Sequence, residues 1–280
     1  MSPPVALAIL ATALLHASWH ALVKSSGDQL ALLAGMNLVS GIAALAAIPF
    51  VAIPSLDVFA VIAGSVVLHA AYKVALASLY MRADLGRAYP LARGLTPIMA
   101  TLLGVLLLHE LPGATSLVGI GLISLGIVAL VTEKSARLSG AAVLGPAVLV
   151  GATVAAYSVV DAYGVRRSGA WLGYTTWLIA CDSVAFIGYA FAVRGRPVAA
   201  VWSAYRWRVL GSGALGLVSF GVFLWALSRA PVGAVSALRE TSIVFSALLG
   251  ALVLRETATW RRYTAALLVM LGAAMIAVIR

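Results

Sequence analysis

Residues 89–110 read YPLARGLTPIMATLLGVLLLHE, and residues 236–256 read SALRETSIVFSALLGALVLRE. At an offset of 146 residues, Leu102, Leu103, Gly104, Leu106, Leu108 and Glu110 fall on Leu248, Leu249, Gly250, Leu252, Leu254 and Glu256, and Arg93 falls on Arg239. Each copy is an apolar run of helix length with an arginine deep inside and a glutamate at its close. A guanidinium keeps its proton in any protein environment, and hydrocarbon is a costly place for it. That cost, met at the same place in two halves of one chain, calls for a reason.

Around this motif the composition is 63% hydrophobic and only 10% charged over 280 residues, against about 25% charged in a soluble domain. Mean hydropathy is +1.06. A bilayer is spanned by about 20 apolar residues, and ten such spans are expected at 3–23, 30–50, 58–80, 87–108, 114–132, 139–162, 170–193, 209–228, 232–254 and 259–279. The chain therefore reads as an all-α integral membrane protein. The first span lacks a basic leader and a small-residue cleavage site, so it reads as a membrane helix rather than a removable signal. The segment Arg194–Arg208, RGRPVAAVWSAYRWR, suits the membrane surface. The net charge of +10 belongs to loop lysines and arginines that set topology and meet lipid headgroups, not to a nucleic-acid surface. A lone cysteine, Cys181, excludes an intrachain disulfide and any multi-cysteine metal site.

The repeat extends beyond the opening motif. Arg82-Ala83-Asp84-Leu85-Gly86 falls on Arg229-Ala230-Pro231-Val232-Gly233 at an offset of 147, and Leu125-Gly126 falls on Leu271-Gly272 at 146. Five spans precede the midpoint and five follow, dividing the chain into 1–135 and 136–280. An odd number of spans per copy sends the second copy into the membrane from the opposite side, the inverted-repeat arrangement of many secondary transporters. Two five-helix halves, each with a run ending in Leu-x-Glu and then a glycine-containing last helix, resemble the drug/metabolite transporter superfamily, and within it the EamA-type ten-helix transporters. The resemblance covers essentially the whole chain. It implies two inverted halves around a central cavity and transport of a small metabolite across the cell membrane, here a bacterial inner membrane. It implies no cofactor and no catalytic residue. It also implies cytoplasmic termini, whereas loop residues such as Lys24, Arg82, Lys134, Arg194 and Arg206 would place the opposite side in the cytoplasm. Absolute orientation stays open.

Several residues are candidates for chemistry within the membrane. Arg93 in span 4 precedes Pro97, whose ring leaves the Arg93 carbonyl without its helical donor. With Tyr89 one turn away, it suits a cavity wall, the alternative being an ion pair that locks helices together. In span 9, Arg239 and Glu240 point about 100° apart, so one suits substrate and the other a neighbouring helix. Glu240, Asp161 and His16 are the candidates for carrying a proton. Asp161 lies near the expected end of span 6, where an interfacial role competes. His16 and His20 share a face of span 1 with Trp19 alongside, and Trp19 aligns with Tyr157 in the second half. No metal motif accompanies the histidines. In span 3, His69, Tyr72 and Lys73 share a face, and Lys73 is expected to snorkel toward the surface. Asp182 is a candidate counter-ion for Arg93 or Arg239. Glu110 and Glu256, at helix ends, suit helix-dipole partners for the helices that follow.

The resulting expectation is a secondary transporter working by alternating access on an amino-acid-like metabolite or organic anion. Arg93 and Arg239 would hold a carboxylate, and His20, Trp19, Tyr72, Tyr89 and Tyr157 would cover the rest. Its partners are the small metabolite, membrane lipid and protons as the coupling ion, in a monomer or homodimer. Two other readings compete: a lipophilic-cation exporter, which needs an unpaired acid, and an intramembrane enzyme on a lipid-linked substrate, with His16 and Asp161 as acid and base.

Overall fold

The computed structural model describes residues 1–24, 29–82, 85–132, 141–194, 197–245 and 260–278. Among these the elements are α1 (Pro3–Lys24), α2 (Gln29–Ala47), α3 (Leu56–Arg82), α4 (Leu85–Leu108), α5 (Ala114–Thr132), α6 (Ala141–Ser168), α7 (Trp171–Arg194), α8 (Pro197–Leu227), α9 (Val232–Glu240) and α10 (Trp260–Val278). No strand occurs among the described residues. Hydrocarbon offers a backbone no hydrogen-bond partners, and a helix satisfies its own. Five helices are long and apolar enough to cross a membrane, within Leu32–Phe50, Leu56–Leu76, Gly145–Ser168, Trp171–Val193 and Tyr205–Leu227. Shorter apolar helices cover Pro3–Trp19, Ala92–Leu108, Ala114–Ala129 and Tyr263–Val278. Large apolar side chains such as Val67, Leu106, Leu107 and Met270 stand exposed on outward faces, as lipid contact requires and a water-soluble surface avoids.

Three spans depart from their expected form. The Arg194–Arg208 segment is mostly helical: α8 starts at Pro197 and passes through Tyr205, whose φ of −135° and ψ of 25° are not helical. Helix α6 continues to Ser168, which moves Asp161 two turns in from the helix end. Span 9 tightens for one residue. Helix α9 stops at Glu240, Thr241 turns, and helix resumes over 242–245. The Thr241 hydroxyl donates to the Leu238 carbonyl at 2.7 Å. Span 4, by contrast, runs as one helix through Pro90 and Pro97.

Helix pairings repeat under exchange of the two halves. Helix α3 packs on α6 as α8 packs on α1, and α4 packs on α6 as α9 packs on α1. The pairs α2–α7, α4–α9 and α5–α10 join corresponding helices of the halves directly. At the α5–α10 contact a Cβ on Gly119 would lie 2.7 Å from the Gly272 carbonyl, and one on Gly272 2.5 Å from that of Gly119. Only two glycines allow the backbones to come so close. Helix α9 is central: every residue from Val232 to Glu240 is buried. Its neighbours include α1, α4, α5, α6, α8 and α10.

Candidate functional site

Four charged groups of the second half and two of the first, together with His69, come together inside the helices. On α4, Arg93 Nε lies 2.7 Å from Glu240 Oε2, with both side chains almost fully buried. Position 93 of the first copy thus reaches the neighbour of position 239 in the second. Arg239 itself, 9% exposed, points elsewhere. Its guanidinium carbon lies 4.1 Å from the centre of the Phe223 ring on α8, a cation–π contact. The Arg239 Nε–H is buried and meets no acceptor among the described residues. A buried donor without an acceptor costs about 1–3 kcal/mol, which makes Arg239 a candidate for holding a ligand.

Asp161 on α6 is completely buried. Its Oδ1 accepts from the Ser65 hydroxyl at 2.5 Å and the Tyr174 hydroxyl at 3.0 Å. Its Oδ2 lies 3.3 Å from His69 Nε2. Ser65 and His69 share one face of α3, four residues apart. Tyr174 reaches in from the first turn of α7 because Gly164 on α6 leaves room; a Cβ there would overlap the tyrosine ring. The His69 ring stacks at 4.1 Å on Tyr157 and meets Phe220 edge-on at 5.6 Å. Phe220 in turn lies 6.2 Å from Phe223. A continuous wall of rings therefore links the Asp161 carboxylate to the Arg239 guanidinium.

Lys73, one turn beyond His69 on α3, does not snorkel. Its Nζ lies 3.0 Å from each carboxylate oxygen of Asp182 on α7 and 4.2 Å from the Phe186 ring centre. Asp182 is therefore the counter-ion of Lys73, not of Arg93 or Arg239.

The other expected residues divide. Tyr72 packs 5.9 Å from Tyr157 and joins the wall. His16 accepts from Trp19 Nε1 at 3.2 Å, and Trp19 packs with Leu32, Met36 and Val209, apart from the core that holds Tyr157. The side chains of Tyr89 and His20 lie outside the described residues, as does Glu256 altogether. Ser65 and Tyr174 escaped the sequence reading. The signal for Ser65 was its place in a polar stripe, Ser65-x3-His69-x3-Lys73. Tyr174 had no local signal, because its partner lies on another helix.

Glu110 serves a different helix from the one expected. It does not support α5, which follows it; its Oε2 accepts the backbone N–H of Val232 at 2.7 Å and so caps α9. Pro231, at the cap position itself, provides no side-chain bond. Glu110 Oε1 pairs with Arg166 at 2.6 Å. Arg166 also donates to the Leu227 and Ala230 carbonyls, both at 2.8 Å. A Cβ on Gly104 would lie 2.6 Å from Val232, so this glycine admits the start of α9. One carboxylate thereby ties the ends of α4, α6 and α8 to the beginning of α9.

Residues 142–278 match the EamA-like transporter family. No curated protein sequence matches the chain. A solved structure described only as "Crystal structure of protein" superposes with a TM-score of 0.77 at 17% identity, covering 100% of both chains. At that identity the likeness speaks for the fold alone.

Proposed function

We propose that the chain is a transporter of the EamA-like family, which residues 142–278 match, and that it carries a small organic anion or amino-acid-like metabolite across the bacterial cytoplasmic membrane by alternating access. The observation that carries this reading is Arg239, a buried cation whose Nε–H has no acceptor among the described residues. A guanidinium offers a carboxylate two parallel bonds. Arg239 stands two residues before Thr241, where α9 tightens for one residue with the backbone still in the helical region. Phe220, Phe223, Tyr157 and Tyr72 cover the apolar part of the solute. In this reading Arg93 and Glu240 form a fixed tie between α4 and α9, about which the halves rock.

Charge favours an anion over a lipophilic cation. Asp182 is paired with Lys73 and Glu240 with Arg93, and Asp161 is wrapped by three hydrogen-bonding groups. The acid–base pair of the enzyme reading is not assembled, since the partners of Asp161 are Ser65, His69 and Tyr174.

The test is thermal unfolding of the detergent-purified protein against carboxylates, neutral amides and quaternary amines, repeated on Arg239→Gln. A ligand at about 100 times its Kd adds about 2.7 kcal/mol of stability. A carboxylate should raise the Tm of the native protein and leave the variant unmoved. Stabilisation by amines alone, equal in both proteins, overturns the anion reading.

A further inference from the structure

We propose that the Asp161–His69 pair is a single-proton site linked to Arg239, so that one monoanion and one proton bind together and the loaded carrier is electroneutral. The inference rests on the anion reading of Arg239 and adds the charge class of the solute and its coupling ion.

Arg93 cancels Glu240, and Lys73 cancels Asp182. Among the described buried groups this leaves Arg239 and Asp161. No hydrogen bond or ion pair joins them; His69, Phe220 and Phe223 run ring to ring between the Asp161 carboxylate and the Arg239 guanidinium. With Asp161 ionised and no solute, the pair sums to zero. A monoanion arriving alone leaves one net negative charge inside the membrane; a proton arriving alone leaves one net positive charge. Either half-loaded state carries a net charge through hydrocarbon, a cost of several kcal/mol. The empty carrier and the doubly loaded carrier are neutral, so these are the two forms that cross.

The geometry accepts both protonation states without rearrangement. When Asp161 is ionised, Oδ2 accepts from His69 Nε2–H across 3.3 Å. When the proton is taken up, Oδ2–H donates to the same nitrogen, and His69 carries its hydrogen on Nδ1. Ser65 and Tyr174 keep donating to Oδ1 in both states. One proton from bulk water bonds to His69 Nδ1 as the Nε2–H bond breaks and that hydrogen passes to Asp161 Oδ2, for a net gain of one proton with no heavy atom displaced; release to water reverses these steps. The groups that face this pair are Ser65, His69 and Lys73 from α3, Tyr157 from α6, Tyr174 and Asp182 from α7 and Arg239 from α9. From α8 the uncharged Phe220 lies against His69.

The experiment is isothermal titration of the purified full-length protein with benzoate in two buffers of different ionisation enthalpy, across roughly pH 6 to 9, where the free carboxylate itself takes up no proton. The difference in heat counts the protons bound. Uptake rising to one proton per benzoate is expected, with Kd weakening about tenfold per pH unit on the alkaline limb. In Asp161→Asn benzoate still binds, with no uptake and no pH dependence. Ser65→Ala, which leaves the carboxylate in place, keeps a count of one but displaces the midpoint of the pH curve. It provides the check if Asp161→Asn does not fold. Binding with zero uptake at every pH, or uptake that survives Asp161→Asn, overturns the coupling and leaves the anion site standing. Absence of any benzoate binding overturns the anion site as well.

Discussion

Arg93 and Arg239 occupy one position of the repeat and have different fates, decided by a single neighbour. Residue 240 is a glutamate, and its counterpart, residue 94, is a glycine. The first arginine consequently finds a carboxylate of the second copy across the α4–α9 contact, while the first copy, with Gly94, has none to offer Arg239 in return. Breaking a buried pair strands its partner's charge at a cost of about 3–5 kcal/mol, whereas replacing both partners by apolar groups restores much of the loss. Arg93→Met and Glu240→Gln should each destabilise the protein by about that amount, and Arg93→Met/Glu240→Met should recover most of it, as read from unfolding in detergent. Ligand-induced stabilisation surviving in the double variant would confirm that the pair is structural. This asymmetry marks how far the sequence could be read. That Arg93, Arg239 and Glu240 were buried charges was legible, because each interrupts an apolar run; Asp161 stood near the expected end of span 6 and is shown to be buried only because α6 continues to Ser168. Their partners were not legible. Asp161 meets Ser65 across 96 residues and Lys73 meets Asp182 across 109, and no local spacing encodes a contact between helices so far apart in the chain.

At the scale of elements, the hydropathy of the spans located the helices closely, since length and apolarity are what a bilayer selects. Irregularities were harder to read. Pro97 suggested an irregular span 4, yet α4 continues through it, and the Thr101 hydroxyl donates to the Pro97 carbonyl at 2.7 Å. The irregularity falls in α9 instead, at Thr241, with neither proline nor glycine to announce it. There a threonine hydroxyl competes for a helix carbonyl, a contest that composition cannot forecast. Helix contact through glycine was legible as a principle, and the α5–α10 pair shows where it acts. Because Gly119 and Gly272 meet at their backbones, Gly272→Val must push two helices apart. A loss of about 1–3 kcal/mol is expected, measurable as a lower Tm in detergent, while Gly188→Ala, which has open space around it, should leave the Tm unchanged.

For the whole molecule, the tie among Glu110, Arg166 and Val232 closes one end of the bundle, and a carrier that alternates must part it. Glu110→Gln keeps an acceptor for the Val232 amide but weakens the hold on Arg166. In a Cys181→Ala background, Ser228→Cys should therefore react several-fold faster with a charged maleimide when Glu110→Gln is added; an unchanged rate would mean that this end parts elsewhere. The same tie has a consequence for biosynthesis. Glu110 and the amide it caps are 122 residues apart, so the ribosome has finished the whole of the first half long before the helix that Glu110 will cap exists. Until α9 enters the membrane, that carboxylate and the bare flank of Gly104 wait as an unfilled seat. The last-made half is thus received into a berth prepared by the first, and maturation of the carrier ends, rather than begins, at its centre.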